Sequence, residues 1–207
     1  MQLQNYYYWF KNAIPYHVCD DIVRYAKSIQ DQMAVTGGFG AKKLNKKEVQ
    51  DLKKKRDSDI VWLNERWIYN AIHPFIHQAN KDANWNFHWD FSESCQFTKY
   101  KKGQYYDWHC DSWDRPYNQP NTPSHGKQRK LSVTLSLSDD KDYSGGELEF
   151  DMRNTDTDKK ANTHVLKEIR SKGSLVVFPS DVWHRVKPVK RGIRHSLVIW
   201  NLGWPFK

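Results

Sequence analysis

The chain changes hydrophobic period near its middle. Before residue 85 the apolar positions recur at helical spacing, and after it they alternate. Pro15 opens a helix expected through about residue 32, with Val18, Ile22, Tyr25, Ala26 and Ile29 on one face. Gly37, Gly38 and Gly40 break it. A second helix is expected over residues 67–80, where Ile68, Ala71, Ile72, Phe75, Ile76 and Ala79 gather on one side and Pro74 predicts a kink or a split. Residues 6–10 read as a short aromatic strand. In the second half Leu131, Val133, Leu135 and Leu137 alternate with serine and threonine, the period-two pattern of a half-buried strand. Further strands are expected over 147–150, 175–178, 184–188 and 194–200, parted by Gly145, Gly146, Gly173 and Gly192. Helices grouped before strands predict an α+β fold: a β-sandwich or rolled barrel buttressed by N-terminal helices. Ligand-bearing strands would meet at its open mouth.

One strand of that half carries candidate chemistry. Successive strand side chains face opposite ways, so His109 and Asp111 point together while Cys110 points away. With His184 as a third donor they make the 2-His-1-carboxylate set that holds non-haem Fe(II) and leaves positions open for substrate and O2. The spacing alone is cheap: nine His and eighteen Asp in 207 residues give roughly 0.8 His-x-Asp pairs by chance. His88 and Asp90 form a second one, but they sit in an aromatic stretch that reads as ordinary strand or core. Around His109 a strand end, a Gly103 turn and a second strand give the setting that a site needs. Arg194, ten residues after His184, begins a strand from which a guanidinium can grip a carboxylate bidentately.

Composition narrows the rest. Thirty aromatic residues argue against disorder. No apolar run approaches membrane length, and the N-terminus lacks a basic-then-apolar leader, so a cytoplasmic location with no membrane partner is the expectation. Three widely spaced cysteines, Cys19, Cys95 and Cys110, suggest neither a disulfide framework nor a zinc-thiolate site. The net charge is +9, and much of the excess lies over 42–56, where Lys42, Lys43, Lys46, Lys47, Lys53, Lys54, Lys55 and Arg56 outnumber Glu48 and Asp51. That segment reads as a solvated face, a mobile loop or irregular helix, or a patch for an acidic substrate or nucleic acid. No aromatic residues interleave its lysines, so a base-stacking platform is not supported.

Three stretches together, 100–111, 145–150 and 175–200, resemble the prolyl 4-hydroxylase-type branch of the Fe(II)/2-oxoglutarate-dependent dioxygenases. The likeness covers roughly residues 94–202, with a weak echo around Cys19 and Asp20. It implies a double-stranded β-helix, or jelly roll, as the catalytic core over 94–207. Residues 1–93 are then a helical support region of one and the same domain. It also implies Fe(II), 2-oxoglutarate and O2 as the reagents, with ascorbate as reductant, and His109, Asp111 and His184 as iron ligands. Arg194 matches the basic residue that pairs with the distal carboxylate of 2-oxoglutarate, where collagen-type members carry lysine. Tyr100 matches a tyrosine on the same carboxylate, and Trp200 an aromatic residue lining the pocket. The reaction implied is hydroxylation of a C–H bond, at a prolyl residue of a peptide or protein, coupled to decarboxylation of 2-oxoglutarate to succinate and CO2.

Trp113, Tyr106 and Arg185 are the candidate substrate contacts, and the polar, turn-rich residues 112–128 a candidate lid. Three other readings compete. A nucleic-acid demethylase fits the basic charge, but Trp200 stands where such enzymes carry a second arginine. A non-catalytic 2-oxoglutarate-binding module would be expected to have lost a ligand. A zinc hydrolase would leave Arg194 without a purpose.

Overall fold

In the computed structural model, residues 5–29, 32–33, 45–112, 114–153 and 160–205 are described. Strand β1 (Tyr8–Phe10) precedes helix α1 (Tyr16–Lys27), β2 (Gln32–Met33) and helix α2 (Lys46–Lys55). Then β3 (Arg56–Asp57) and β4 (Asp59–Leu63) lead into helix α3 (Arg66–Asp82). The second half is all strand: β5 (Phe91–Ser92), β6 (Cys95–Tyr100), β7 (Tyr105–His109), β8 (Gln128–Ser136), β9 (Tyr143–Gly145) and β10 (Leu148–Asp151). It closes with β11 (Thr163–Leu166), β12 (Leu175–Pro179), β13 (His184–Val186), β14 (Val189–Gly192) and β15 (Arg194–Gly203).

These strands make two large antiparallel sheets. One runs β1-β12-β8-β15-β6-β4-β2 with β5 added on β15; the other runs β11-β10-β13-β7-β3, while β9 pairs with β14. The arrangement is the α+β jelly roll that the sequence predicts. Its strand alternation explains the layers. Leu131, Val133 and Leu135 of β8 and Leu197 and Ile199 of β15 join one buried cluster with Ile22 of α1 and Ile68, Ile72 and Ile76 of α3. The opposite phase looks into the space between the sheets, where Val176 and Phe178 of β12 meet Leu148 and Phe150 of β10.

Several expectations shift. Ser132, Thr134 and Ser136 are as buried as their apolar neighbours, so β8 is covered on both faces. Its polar phase lines the inter-sheet space rather than meeting solvent. Helix α3 runs unbroken through Pro74. Pro74 and Asn70 both lie on the exposed side, where water can satisfy the carbonyl that proline leaves without a donor. The basic segment forms a regular helix, α2, closed by a capping box between Asn45 and Glu48. Residues 1–93 are more than a helical support, since β1 pairs with β12, β4 with β6 and β3 with β7. The Gly37–Gly40 break and Lys42 and Lys43 lie outside the described residues. No described helix is long and apolar enough to cross a membrane.

Candidate metal centre

His109 ends β7 and His184 begins β13, and the two are register partners, so the ladder itself sets the imidazoles side by side. Their ring centroids are 4.2 Å apart. Asp111 joins them differently from the sequence expectation. The strand stops at His109, and Asp111 lies in a bend whose backbone N–H donates to the Ser180 carbonyl at 2.8 Å. β13 starts at His184, so no partner extends the ladder past that rung, and the turn after β12 takes over the hydrogen bond. The carboxylate reaches both rings: Oδ1 lies 3.7 Å from His109 Nε2 and Oδ2 lies 3.7 Å from His184 Nε2. The three donor atoms fall within 4.8 Å of one another, and no other such group occurs among the described residues, His88 and Asp90 included.

Each ring has only one nitrogen to offer. His109 Nδ1 is 2.7 Å from the Asp107 carbonyl and His184 Nδ1 is 2.9 Å from the Val182 carbonyl. A carbonyl only accepts, so both Nδ1 atoms carry the hydrogen, and Nε2 is the atom each ring brings near Asp111. Burial, followed by His184 beside it, pushes His109 down to about 3, so its ring is neutral at ordinary pH. Burial works to raise the Asp111 carboxyl, but His184, His109 and Arg129 outweigh it and hold it below the usual carboxylate range. Two imidazoles and one carboxylate, with their donor atoms gathered this closely, are the donor set of a ferrous centre. Packing fixes the rings: Tyr106 stacks on His109 at 3.5 Å, and Phe178 meets His184 edge-on at 4.8 Å.

The cavity beside these residues is lined by Tyr100, Tyr106, Arg194 and Trp200, all singled out from the sequence. Arg194 is 3% exposed, lies over the Tyr100 ring at 5.5 Å and donates to Ser196 Oγ at 3.2 Å. No carboxylate pairs with it among the described residues, so its guanidinium is left to the cavity. Gly146, at φ +64°, packs so tightly there that a Cβ would stand 3.0 Å from Arg194 Cδ. Trp200 is 6% exposed and its buried Nε1 has no partner among the described residues. Arg185 does not reach the cavity. It follows His184 on β13 and so faces outward, where it ion-pairs with Glu149 at 2.6 Å over the Trp108 ring. Trp113 lies outside the described residues.

Sequence reasoning missed two arginines. Arg129 lies 3.9 Å over Trp200 and holds Glu93 at 2.6 Å, closing the wall behind Asp111. Arg56, 5% exposed, lines the cavity from β3, donates to Gln96 Oε1 at 2.6 Å and lies over Tyr106 at 4.6 Å. The alternation of buried Arg56, Ser58 and Ile60 is the signal that places it inward, and the lysine run before it hides that signal.

A family model described as the 2OG-Fe(II) oxygenase superfamily matches residues 95–201. A PKHD-type hydroxylase of Cupriavidus metallidurans is 31% identical over 107 residues, 50% of this chain and 40% of that protein. One from Synechococcus sp. is 37% identical over 99 residues, 47% of this chain and 36% of that protein. The chain thus spans about two fifths of the length of these hydroxylases. Among solved structures, a Pseudomonas putida prolyl-4-hydroxylase superposes with a TM-score of 0.67 at 18% identity, covering 96% of this chain and 93% of that one. A Trichoplax adhaerens prolyl hydroxylase, in complex with a hypoxia inducible factor oxygen degradation domain peptide fragment, gives 0.66 at 18% identity, covering 96% and 84%. At that identity the likeness carries the fold.

Proposed function

The chain belongs to the 2OG-Fe(II) oxygenase superfamily, and from that premise we propose that it hydroxylates a C–H bond of a prolyl residue in a peptide or protein. Supporting this is one observation above all: His109, Asp111 and His184 bring three donor atoms within 4.8 Å of one another in a cavity that also holds buried Arg194, which has no carboxylate partner among the described residues. Fe(II), 2-oxoglutarate and O2 together supply the oxidising chemistry, in which one oxygen atom enters succinate as CO2 is lost and the other enters the substrate C–H bond.

The chain's own residues do the positioning. His109, Asp111 and His184 would hold the ion, and their tied Nδ1 atoms and stacked rings keep the donors in place before it arrives. Arg194, with Tyr100 and Ser196 around it, would receive the distal carboxylate of 2-oxoglutarate. Leu148 and Val186 keep the opposite wall dry, which strengthens that charge-assisted contact. Tyr106 and Trp200 would face the substrate and orient its C–H bond. The test is succinate release with Fe(II) and 2-oxoglutarate, with and without proline-containing peptides, alongside the mass of the peptide. Peptide-dependent succinate and a peptide heavier by one oxygen atom are expected. Succinate release that no proline peptide stimulates would contradict the prolyl assignment.

A further inference from the structure

The basic run over α2 has no part in the site just described, yet it abuts the cavity. Lys46, Lys47, Lys53, Lys54 and Lys55 are all exposed. Glu48 is spent on the capping box, Asp51 pairs with Lys54 at 2.7 Å, and Asp57 stands at the outer limit of an ion pair with Lys53, at 4.0 Å. No ion pair holds Lys46, Lys47 or Lys55 among the described residues. The next residue, Arg56, passes inward, and its Nε and Nη2 donate to the neutral Ser58 and Gln96, with no ion pair to an acid among the described residues. The helix is tied to the metal-bearing strand, because the Tyr105 hydroxyl of β7 donates to the carbonyls of Lys53 and Lys54 at 3.1 and 2.9 Å. A band of predominantly positive charge therefore runs from the surface to the cavity wall, ending on a buried cation with no carboxylate partner among the described residues. Such a cation is costly unless something acidic meets it.

We propose that α2 is the docking surface for an acidic stretch of the polypeptide substrate, whose chain continues past Arg56 toward the metal centre. This rests on the reading of the cavity as a hydroxylation site. Lys46 and Lys53 are seven residues apart on one face, about 10 Å of helix, which an extended chain covers in about three residues. Acidic side chains at that interval meet both. Helix α2 has no aromatic residue on which a base could stack, so the charge complements a polypeptide rather than a nucleic acid.

The test uses the full chain loaded with Mn(II) and 2-oxoglutarate, and fluorescence anisotropy of three labelled probes. These are a short peptide alternating glutamate and proline, its glutamine counterpart, and oligo(dT). The acidic peptide is expected to bind about tenfold or more tightly than the neutral one, and to weaken as salt rises past about 0.1 M. Replacing Lys46, Lys47, Lys53 and Lys55 with Glu should remove that preference, and replacing them with Gln should remove most of it. The 2-oxoglutarate affinity should not change, and the Gln set guards against misfolding from charge reversal. Equal binding of acidic and neutral peptides, an unchanged preference in both variants, or binding of oligo(dT) alone would each overturn the proposal. Failure of the unsubstituted protein to bind 2-oxoglutarate at all would instead overturn the hydroxylase reading beneath it.

Discussion

The Nδ1 of His184 lies 2.9 Å from the Val182 carbonyl oxygen, and that contact decides which ring nitrogen is left for an ion. His109 repeats it with Asp107. In both cases the partner is backbone two residues earlier, on β7 for His109 and in the turn leading into β13 for His184, so the local main chain orients the ring. Evolution cannot easily lose such an orienting group by substitution, because no side chain supplies it.

Removing either imidazole should therefore destroy metal binding without unravelling the fold. His109→Ala or His184→Ala is expected to lower Mn(II) or Fe(II) affinity by more than about 100-fold. Calorimetry gives the affinity, and far-UV circular dichroism checks that strand content is kept. Full metal affinity in either variant would remove that residue from the centre.

Arg194 and Gly146 should behave as one unit. Arg194→Ala is expected to weaken 2-oxoglutarate binding about 10- to 150-fold, the equivalent of one charge-assisted hydrogen bond, with metal affinity unchanged. Gly146→Ala should do the same more weakly, because its new Cβ would press on Arg194 Cδ from 3.0 Å and its φ of +64° suits glycine. If Gly146→Ala lowered stability alone and left 2-oxoglutarate affinity intact, the packing would not be what positions the guanidinium.

Arg129 and Glu93 form a two-toothed ion pair, at 2.8 and 2.6 Å, behind Trp200. Their side chains are 13% and 18% exposed, between the surface and buried limits. Arg129→Met should cost roughly 2–3 kcal/mol by taking the guanidinium from the Glu93 carboxylate, which keeps the Tyr117 hydroxyl. Adding Glu93→Gln should restore part of the loss. Denaturant midpoints of the two variants decide this; a double variant no more stable than the single one would show that packing, not charge, dominates.

His195 should shape the acid limb of stability. Burial, then the nearby cations Lys27, Lys99 and Arg194, push it down to about 4. The ring is thus neutral when folded and protonates near 6.5 when unfolded. The unfolded chain binds the extra proton, so stability is full above about pH 6.5 and drains away as pH falls toward about 4. His195→Phe, which keeps the stack on Phe97 at 5.4 Å, should flatten the pH dependence in that window. An unchanged slope would mean that other groups carry it.

The sequence made the inner architecture legible wherever alternation was regular. The alternation of β8 and β15 sets Leu131, Val133, Leu197 and Ile199 on one face and Thr134, Arg194, Ser196 and Trp200 on the other, though it does not show that the polar face of β8 lines a cavity rather than meeting solvent. It misled where neighbours override local pattern. Asp111 leaves the strand because β13 offers no rung beyond His184. Pro74 stays inside a helix because its face is wet. Arg185 turns outward because it is one residue from His184, a consequence the alternation already contained. In the sequence Arg56 reads as the last member of a lysine-rich charge run. Its pairing with Tyr106 shows that it is buried, while the described lysines before it are exposed.

The most direct test of the central claim is an anaerobic titration of the Fe(II)-loaded protein with 2-oxoglutarate, followed by the visible absorption of the iron–keto-acid chelate. One equivalent of iron and a saturable band are predicted. The band should be absent in His109→Ala and His184→Ala, and should need more 2-oxoglutarate in Arg194→Ala. A band of full strength in the histidine variants, or no band in the unsubstituted protein with its iron bound, would contradict the assignment of His109, Asp111 and His184 as the metal centre of this oxygenase.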